Sequence, residues 1–313
     1  MVNKHQYQIY ISLFVVMVFW GFNVIATKLL VTSFMPVTMT AFRIFTAAVG
    51  VFIILFCLKL VRKPTKKEWQ YIIICSLFNV VGHHYFLSIG LKETSASNGG
   101  LILGTGPILT TILAFLFLRN KITLLRFCGI ILGFIGISFI VFQNGESLKG
   151  ISLGDVHVFL SIFVQAVSFI MIKKVSSTLD PRLMTGYMLF IGSILLFIIS
   201  LIVEPAGLES MTEGSLSIWI VFFASAFLAT SIGHMIYNYA VGKVGPAESA
   251  VFINLNPFFA LVGASIFLGE VITLPQMIGF IFIICGVVLG SGGFEPILRN
   301  QKRKKNRVVD YKC

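Results

Sequence analysis

Residues 104–124 read GTGPILTTILAFLFLRNKITL and residues 254–274 read NLNPFFALVGASIFLGEVITL, one pattern written twice at a distance of 150 residues. Each copy has a proline at its fourth place, an apolar run ending Phe-Leu, a three-residue corner and then Ile-Thr-Leu. Extended in both directions, the match lays residues 84–136 over 234–286 without a gap, with 11 of 53 positions identical. Shared apolar composition inflates any such score. The pairs His84/His234 and Pro107/Pro257 and the Thr123/Thr273 corner therefore weigh more than paired Ile or Leu, and Gly129/Gly279 and Gly136/Gly286 extend them.

The runs inside the repeat have the length of a bilayer. Of 313 residues, 57% are hydrophobic and 12% charged, with a mean hydropathy of +0.95. A water-soluble domain so apolar would lack a polar skin. A hydrocarbon core of ~30 Å takes about 20 residues of helix, and lipid cannot satisfy exposed backbone N–H and C=O groups, so each run reads as a helix. Spans are expected near 9–31, 37–60, 69–91, 97–118 and 124–142, and again near 153–173, 182–203, 216–240, 247–268 and 274–293. The fold class is thus all-α integral membrane, with ten transmembrane helices. The first span is too long for a signal-peptide core and no small-residue cleavage site follows it, so it is expected to stay in the mature protein.

The charges orient the chain. The formal net charge is +12, which by itself could point to nucleic acid, but the basic residues gather on one side of the expected spans. With a cytoplasmic N-terminus, twenty of the 24 Lys and Arg fall in cytoplasmic segments, among them Arg62, Lys63, Arg126, Lys173, Arg182, Lys243 and the tail. The opposite loops hold Lys92 and Lys149, while Lys28 and Arg43 lie within spans. That is the positive-inside pattern of an even number of spans with both ends in the cytoplasm. The tail run Lys302-Arg303-Lys304-Lys305 matches a nuclear-localisation or lipid-headgroup patch and equally a topology anchor. Cys57, Cys75, Cys128, Cys285 and Cys313 have no paired spacing, so no disulfide or zinc framework is expected.

Five spans per repeat is an odd number, so the second copy must enter from the opposite face. The expected organisation is two inverted-topology five-helix repeats, residues 1–145 and 146–296, followed by a basic cytoplasmic tail, 297–313. Transporters commonly use such halves to build a midplane site with alternating access.

At this point the residues resemble a known family, the drug/metabolite transporter superfamily and specifically its EamA-domain permeases. The resemblance covers residues 9–293. It rests on Trp20-Gly21-Phe22-Asn23 in span one, Arg43 in span two, Pro107 and Pro257, and Leu268-Gly269-Glu270 at the ninth-span exit. It implies a carrier of amino acids, amines or related metabolites, often an exporter, with a cavity lined by helices one to four and six to nine. The sequence departs from the family at Asn120, where an acidic residue is common, and in its His83-His84 pair.

Candidate site residues follow from equivalent interruptions in the two halves. Pro107 and Pro257 should kink spans four and nine and free the carbonyls of Leu103 and Ile253, with Asn254 and Asn256 offering amides either to a solute or to neighbouring helices. Spans three and eight carry Asn79, His83, His84 and Tyr85 against His234, Tyr237 and Asn238. Intramembrane ionisable groups are costly and usually face an interior. His84 and His234 could carry a coupled proton or bond to a substrate carboxylate, or donate to a backbone carbonyl. Trp20 and Asn23 lie one turn apart and share a face. Arg43, about 9 Å inside its span by helix rise, is a candidate anion contact or external gate, or it snorkels to headgroups. Glu248, just after Pro246, is a proton-coupling candidate that also suits a first-turn carboxylate.

No HExxH, G-x-S-x-G or P-loop occurs, and adjacent His83 and His84 point about 100° apart on a straight helix, so no metal site is expected. A secondary transporter is therefore favoured over a membrane-embedded enzyme acting on lipid or peptide. The expected partners are a small-molecule substrate, zwitterionic or cationic, the lipid bilayer and a coupling proton. A homodimer is among the assemblies this architecture admits; neither nucleic acid nor a cofactor is expected, and the location expected is the plasma membrane.

Overall fold

A computed structural model describes residues 4–94, 102–119, 123–141, 152–268 and 271–290. The tail, the corner residues Asn120 and Lys121, Gly269-Glu270 of the ninth-span exit, and 97–101, 142 and 291–293 of the expected spans lie outside the described residues. Among the described residues every regular element is a helix.

Besides a single turn at Gly207–Ser210, the helices are α1 (Lys4–Ser33), α2 (Pro36–Cys57), α3 (Lys66–Glu93), α4 (Gly106–Leu118), α5 (Leu124–Val141), α6 (Leu153–Val175), α7 (Pro181–Val203), α8 (Leu216–Val244), α9 (Pro246–Phe267) and α10 (Leu274–Gly290). Seven of them, α1, α2, α3, α6, α7, α8 and α9, are long and apolar enough to cross a bilayer, and α4, α5 and α10 are shorter apolar helices. Large apolar side chains such as Phe56, Ile202 and Leu216 cover the outside, whereas Arg43, His83, His84, His234 and Asn238 are buried. That distribution suits a lipid solvent and makes this a multi-pass membrane protein.

Helix ends are tied by side chains. Thr65 and Glu68 form a reciprocal capping box at the start of α3, and Ser152 and Asp155 form another at α6, so two otherwise orphaned N–H groups are satisfied at each. The N-terminus of α2 has no side-chain cap of its own. Glu204, from the end of α7, supplies one: its carboxylate accepts from the Val37 and Thr38 amides at 2.9 and 2.7 Å and from the Thr38 hydroxyl at 2.8 Å. A carboxylate there also complements the helix dipole.

Two features depart from the sequence reading. Spans three and eight are not uniform α-helices, because each widens into a π-helical stretch at its middle, Ser76–Gly82 and Ser225–Gly233. The prolines also act differently from a simple kink. Pro107 opens α4 after a turn at Gly104-Thr105, and α9 tightens to 3₁₀ over Val251–Leu255 before Pro257. The Ile253 carbonyl is consequently not freed, since the Asn256 amide bonds to it.

Helix pairing follows from small residues. In α5 against α10, a Cβ added at Gly129 would lie 2.4 Å from the Gly290 nitrogen, at Gly136 2.5 Å from the Gly279 oxygen, and at Gly286 2.6 Å from the Gly133 nitrogen. Numbers rise on one helix as they fall on the other, so the pair is antiparallel. The pairs α2/α7 (Phe42 on Phe197, Phe52 on Tyr187), α3/α6 (Asn79 on Ser168, Gly90 on Val158) and α1/α8 (Trp20 on Gly233, Asn23 on Ser225) are antiparallel in the same way. By contrast α1/α9 (Tyr10 on Phe252, Ile25 on Gly263) and α4/α6 (Gly106 on Ile162, Phe117 under Lys174) run parallel.

A side chain at Gly136 would meet the Gly279 oxygen and the Ile283 nitrogen as well as the Ile283 side chain, so Gly136→Leu cannot be relieved by a side-chain shift alone. Its expected cost is about 1–3 kcal/mol of overpacking or more, read as a lowered Tm of the purified protein; an unchanged Tm would show that the two backbones are not in contact.

Candidate functional site

The π-helical stretch of α8 creates the centre of the site. Widening a helical turn loosens backbone pairing, and such segments are frequent at functional positions. The Ala229 carbonyl inside it accepts the Trp20 indole N–H at 2.9 Å, and the Thr230 hydroxyl donates to the Ser225 carbonyl at 3.2 Å. His234 Nδ1 lies 3.4 Å from the same Ala229 oxygen. A carbonyl can only accept, so Nδ1 carries the hydrogen, and Nε2, buried and without a protein partner, is left as an acceptor. Trp20 reaches this place because Gly233 has no side chain: a Cβ there would come 2.7 Å from the indole nitrogen. The indole then packs on the His234 and Tyr237 rings at 5.1 and 4.9 Å.

Arg43 crosses from α2 to the same stretch. Its Nη1 donates to the Ser225 and Thr230 hydroxyls at 3.0 and 3.1 Å, and the Ser225 hydroxyl donates onward to Asn23 Oδ1. The arginine is only 3% exposed, which rules out snorkelling to headgroups. Among the described residues it has no carboxylate partner, and its Nε is buried without a hydrogen bond. Lys28, by contrast, is exposed.

These groups line a cavity of about 110 Å³. Its walls are Trp20, Asn23, Val24 and Thr27 of α1; Thr40 and Arg43 of α2; His83, His84, Leu87, Ser88 and Leu91 of α3; Leu103; Ile162 and Gln165 of α6; Thr230 and His234 of α8; and Ile253 and Asn256 of α9. His84 and His234 approach to 5.6 Å between ring centroids, with His83 4.8 Å from His84. His83 Nδ1 contacts the Ser161 carbonyl at 3.1 Å, and His84 Nε2 has no partner. Among the described residues none that lines the cavity is acidic. Among the described residues no group of three His, Cys, Asp or Glu side chains could hold a metal ion. A larger groove of about 550 Å³ between Val49, Phe52, Ile53, Phe56, Cys57 and Phe190 lies on the outer face and is apolar throughout, so it has nothing with which to orient a polar solute.

Of the residues singled out from sequence, the cavity gathers Trp20, Asn23, Arg43, His83, His84, His234 and Asn256. The others lie off its lining. Asn79 donates to Ser168 Oγ at 2.6 Å and Asn238 to Thr185 Oγ1 at 2.9 Å, both helix-to-helix bonds. Tyr237 is buried beneath Trp20 and Phe169, and Tyr85 rests against Phe86. Asn254 packs into the space above Gly133, where a Cβ would come 2.1 Å from its amide nitrogen. Pro107 is buried at the start of α4 and Pro257 half-buried at the helical restart in α9; they shape the backbone beside Leu103 and Ile253 without lining the cavity. Glu248 is apart from the histidines: it accepts from the Tyr10 hydroxyl and pairs with Arg126 Nη2 at 3.5 Å, joining α1, α5 and α9 at the end of the molecule away from the cavity. Sequence reading missed Thr40, Thr230 and Gln165. Gln165, an uncharged amide in the middle of an apolar span, is the one of the three that its surroundings could have marked.

Trp20→Phe removes the indole donor to Ala229 and leaves that buried carbonyl only the longer 3.4 Å contact from His234 Nδ1. The expected loss is about 1–2 kcal/mol, read as a lower Tm than wild type; equal melting of the two proteins would mean that the indole bond carries no weight.

Comparison with known proteins agrees with this architecture. The family model for EamA-like transporters matches residues 8–142 and 152–292. The uncharacterized transporter YyaM of Bacillus subtilis is 29% identical over 91% of this chain and 93% of its own length. A WAT1-related chloroplastic protein of Arabidopsis thaliana is 24% identical over 87% of this chain and 66% of its own. A solved crystal structure matches with a TM-score of 0.73 at 12% identity, over 91% of this chain and 96% of that one, a likeness of fold alone. With both stretches of the family model accounted for by its helices, this chain belongs to the EamA-like transporter family.

Proposed function

We propose that this chain is a secondary transporter of small metabolites such as amino acids or amines, working by alternating access between two inverted five-helix repeats, residues 1–145 and 146–296. In this reading both ends are cytoplasmic, the protein resides in the plasma membrane and export is the cellular direction. The observation that carries it is reciprocity about the cavity. His84 and His234, equivalent in the repeat, meet ring to ring. Gly129 packs on Gly286 while Gly136 packs on Gly279, and 279 and 286 are the repeat equivalents of 129 and 136. Antiparallel α1/α8 has a counterpart in antiparallel α3/α6, and parallel α1/α9 in parallel α4/α6. A two-fold axis in the membrane plane would generate each member of such a pair from the other.

The mechanism follows from the ends of the cavity. Its walls come from the second halves of α1 and α3, whereas the Tyr10–Glu248–Arg126 contacts join α1, α9 and α5 at the opposite end. That end also gathers basic groups in the turns: Arg62 pairs with Glu68 and donates to the Thr178 carbonyl at 2.8 Å, and Lys173 donates to the Gly242 carbonyl at 2.7 Å. Opening it while the other end closes exposes the cavity to the cytoplasm. The hinges are the helical discontinuities, 3₁₀ in α9 and π in α3 and α8, where backbone bonds are already rearranged. His84 and His234 are the groups that would carry a coupled proton.

Purified protein in sealed vesicles is expected to give saturable counterflow of at least one member of an amino-acid and amine panel; no flux for any member, with lipid turnover by the same preparation, would turn the reading toward an enzyme. On a background lacking the other cysteines, Cys313 and a cysteine at Asn3 should react with impermeant thiol reagents only from the cytoplasmic side and a cysteine at Lys149 only from outside. Ends labelled from opposite faces would end the inverted-repeat reading.

A further inference from the structure

We infer that the transported solute carries a carboxylate, bound by Arg43, and that amines lacking a carboxylate are not carried. The inference rests on the transport reading and narrows its substrate class. A guanidinium held away from water costs several kcal/mol unless an anion compensates it. Arg43 is buried, lines the cavity and has only two neutral hydroxyls on Nη1. Hydroxyls satisfy hydrogen bonds but return none of the charge. Among the described residues no carboxylate pairs with Arg43 or lines the cavity, and its Nε makes no hydrogen bond. A carboxylate entering this space completes the planar fork that arginine offers to anions.

The same wall disfavours a lone cation. An ammonium group would sit beside a buried guanidinium with no acid to receive it. It is acceptable only on a molecule that brings its own carboxylate, in which case the His234 Nε2 lone pair and the Asn256 side-chain oxygen, both without protein partners, are the acceptors available to it. Three-carbon solutes are small enough for a cavity of about 110 Å³ and differ here only in the charges they carry.

Four three-carbon probes separate the charges: alanine, propionate, alaninamide and propylamine. Each is measured by equilibrium dialysis against the purified full-length protein and by counterflow in vesicles. Alanine or propionate should bind roughly tenfold or more tighter than alaninamide and propylamine, the scale of one charge-assisted bond. Arg43→Gln should abolish that preference, while Arg43→Lys, which keeps the charge but loses the fork, should retain part of it. Because Arg43 also ties α2 to α8, the wild-type comparison decides the matter even where a variant fails to fold. Binding of neither carboxylate, or equal or tighter binding of alaninamide or propylamine, overturns the inference. Carboxylate binding without flux of any probe leaves the anion site standing and removes the transport reading instead.

Discussion

Lipid offers nothing to hydrogen-bond with, and most of this structure answers to that constraint. A polar group within the hydrocarbon must find its partner in the protein. Where α8 widens at Ser225–Gly233, the Ala229 carbonyl is met by the indole of Trp20 and the Ser225 carbonyl by the hydroxyl of Thr230. Ser225 and Thr230 in turn receive Arg43. One local irregularity of the backbone thus recruits residues of α1 and α2, and those recruits form much of the cavity wall. The site is made of the repairs to a broken helical pattern.

Compensation stops short of completeness at the centre. Three other arginines have anionic partners: Arg62 has Glu68, Arg182 has Asp180 and Arg126 has Glu248. Between helices the Asn79 and Asn238 amide nitrogens donate to Ser168 and Thr185. Around the cavity, by contrast, Arg43 Nε, His84 Nε2, His234 Nε2 and Asn256 Oδ1 have none. Other buried groups also lack partners, Asn79 Oδ1, Tyr237 Oη and Asn238 Oδ1 among them; what distinguishes the cavity is that its unpaired groups include a guanidinium and two imidazoles around one open space.

Much of this was legible in the residues. Repeated Pro, His and Thr positions gave the internal duplication, and bilayer-length runs gave the helices to within a few residues where they are described. Trp20, Asn23, Arg43, His83, His84, His234 and Asn256 were marked because polar or indole groups in apolar spans need a reason. Asn79, Tyr85, Tyr237 and Asn238 were marked on the same ground but lie off the cavity lining. Polarity marks a residue but not the direction it faces on its helix: Asn79 and Asn238 reach neighbouring helices and Tyr237 lies beneath Trp20. The π-helical widening of spans three and eight was equally hidden. SLFNVVG and SAFLATSIG contain no residue that demands a π turn; the widening is set by what packs around them. Asn254 was misjudged for a related reason, since Gly133 on α5 leaves room for its side chain, and only the three-dimensional pairing of α5 with α10 brings that glycine near.

That pairing bears on how the two halves can vary over time. Gly129, Gly133 and Gly136 face Gly279, Gly286 and Gly290 backbone to backbone, so the room available at each position is set by its counterpart in the other half of the gene. A duplicated sequence ordinarily frees one copy to drift. Here a side chain acquired at Gly129, Gly136 or Gly286 would meet the opposite helix's main chain, so the seam holds the equivalent positions 129/279 and 136/286 to the same poverty of atoms while 133/283 and 140/290 have diverged to Gly/Ile and Ile/Gly.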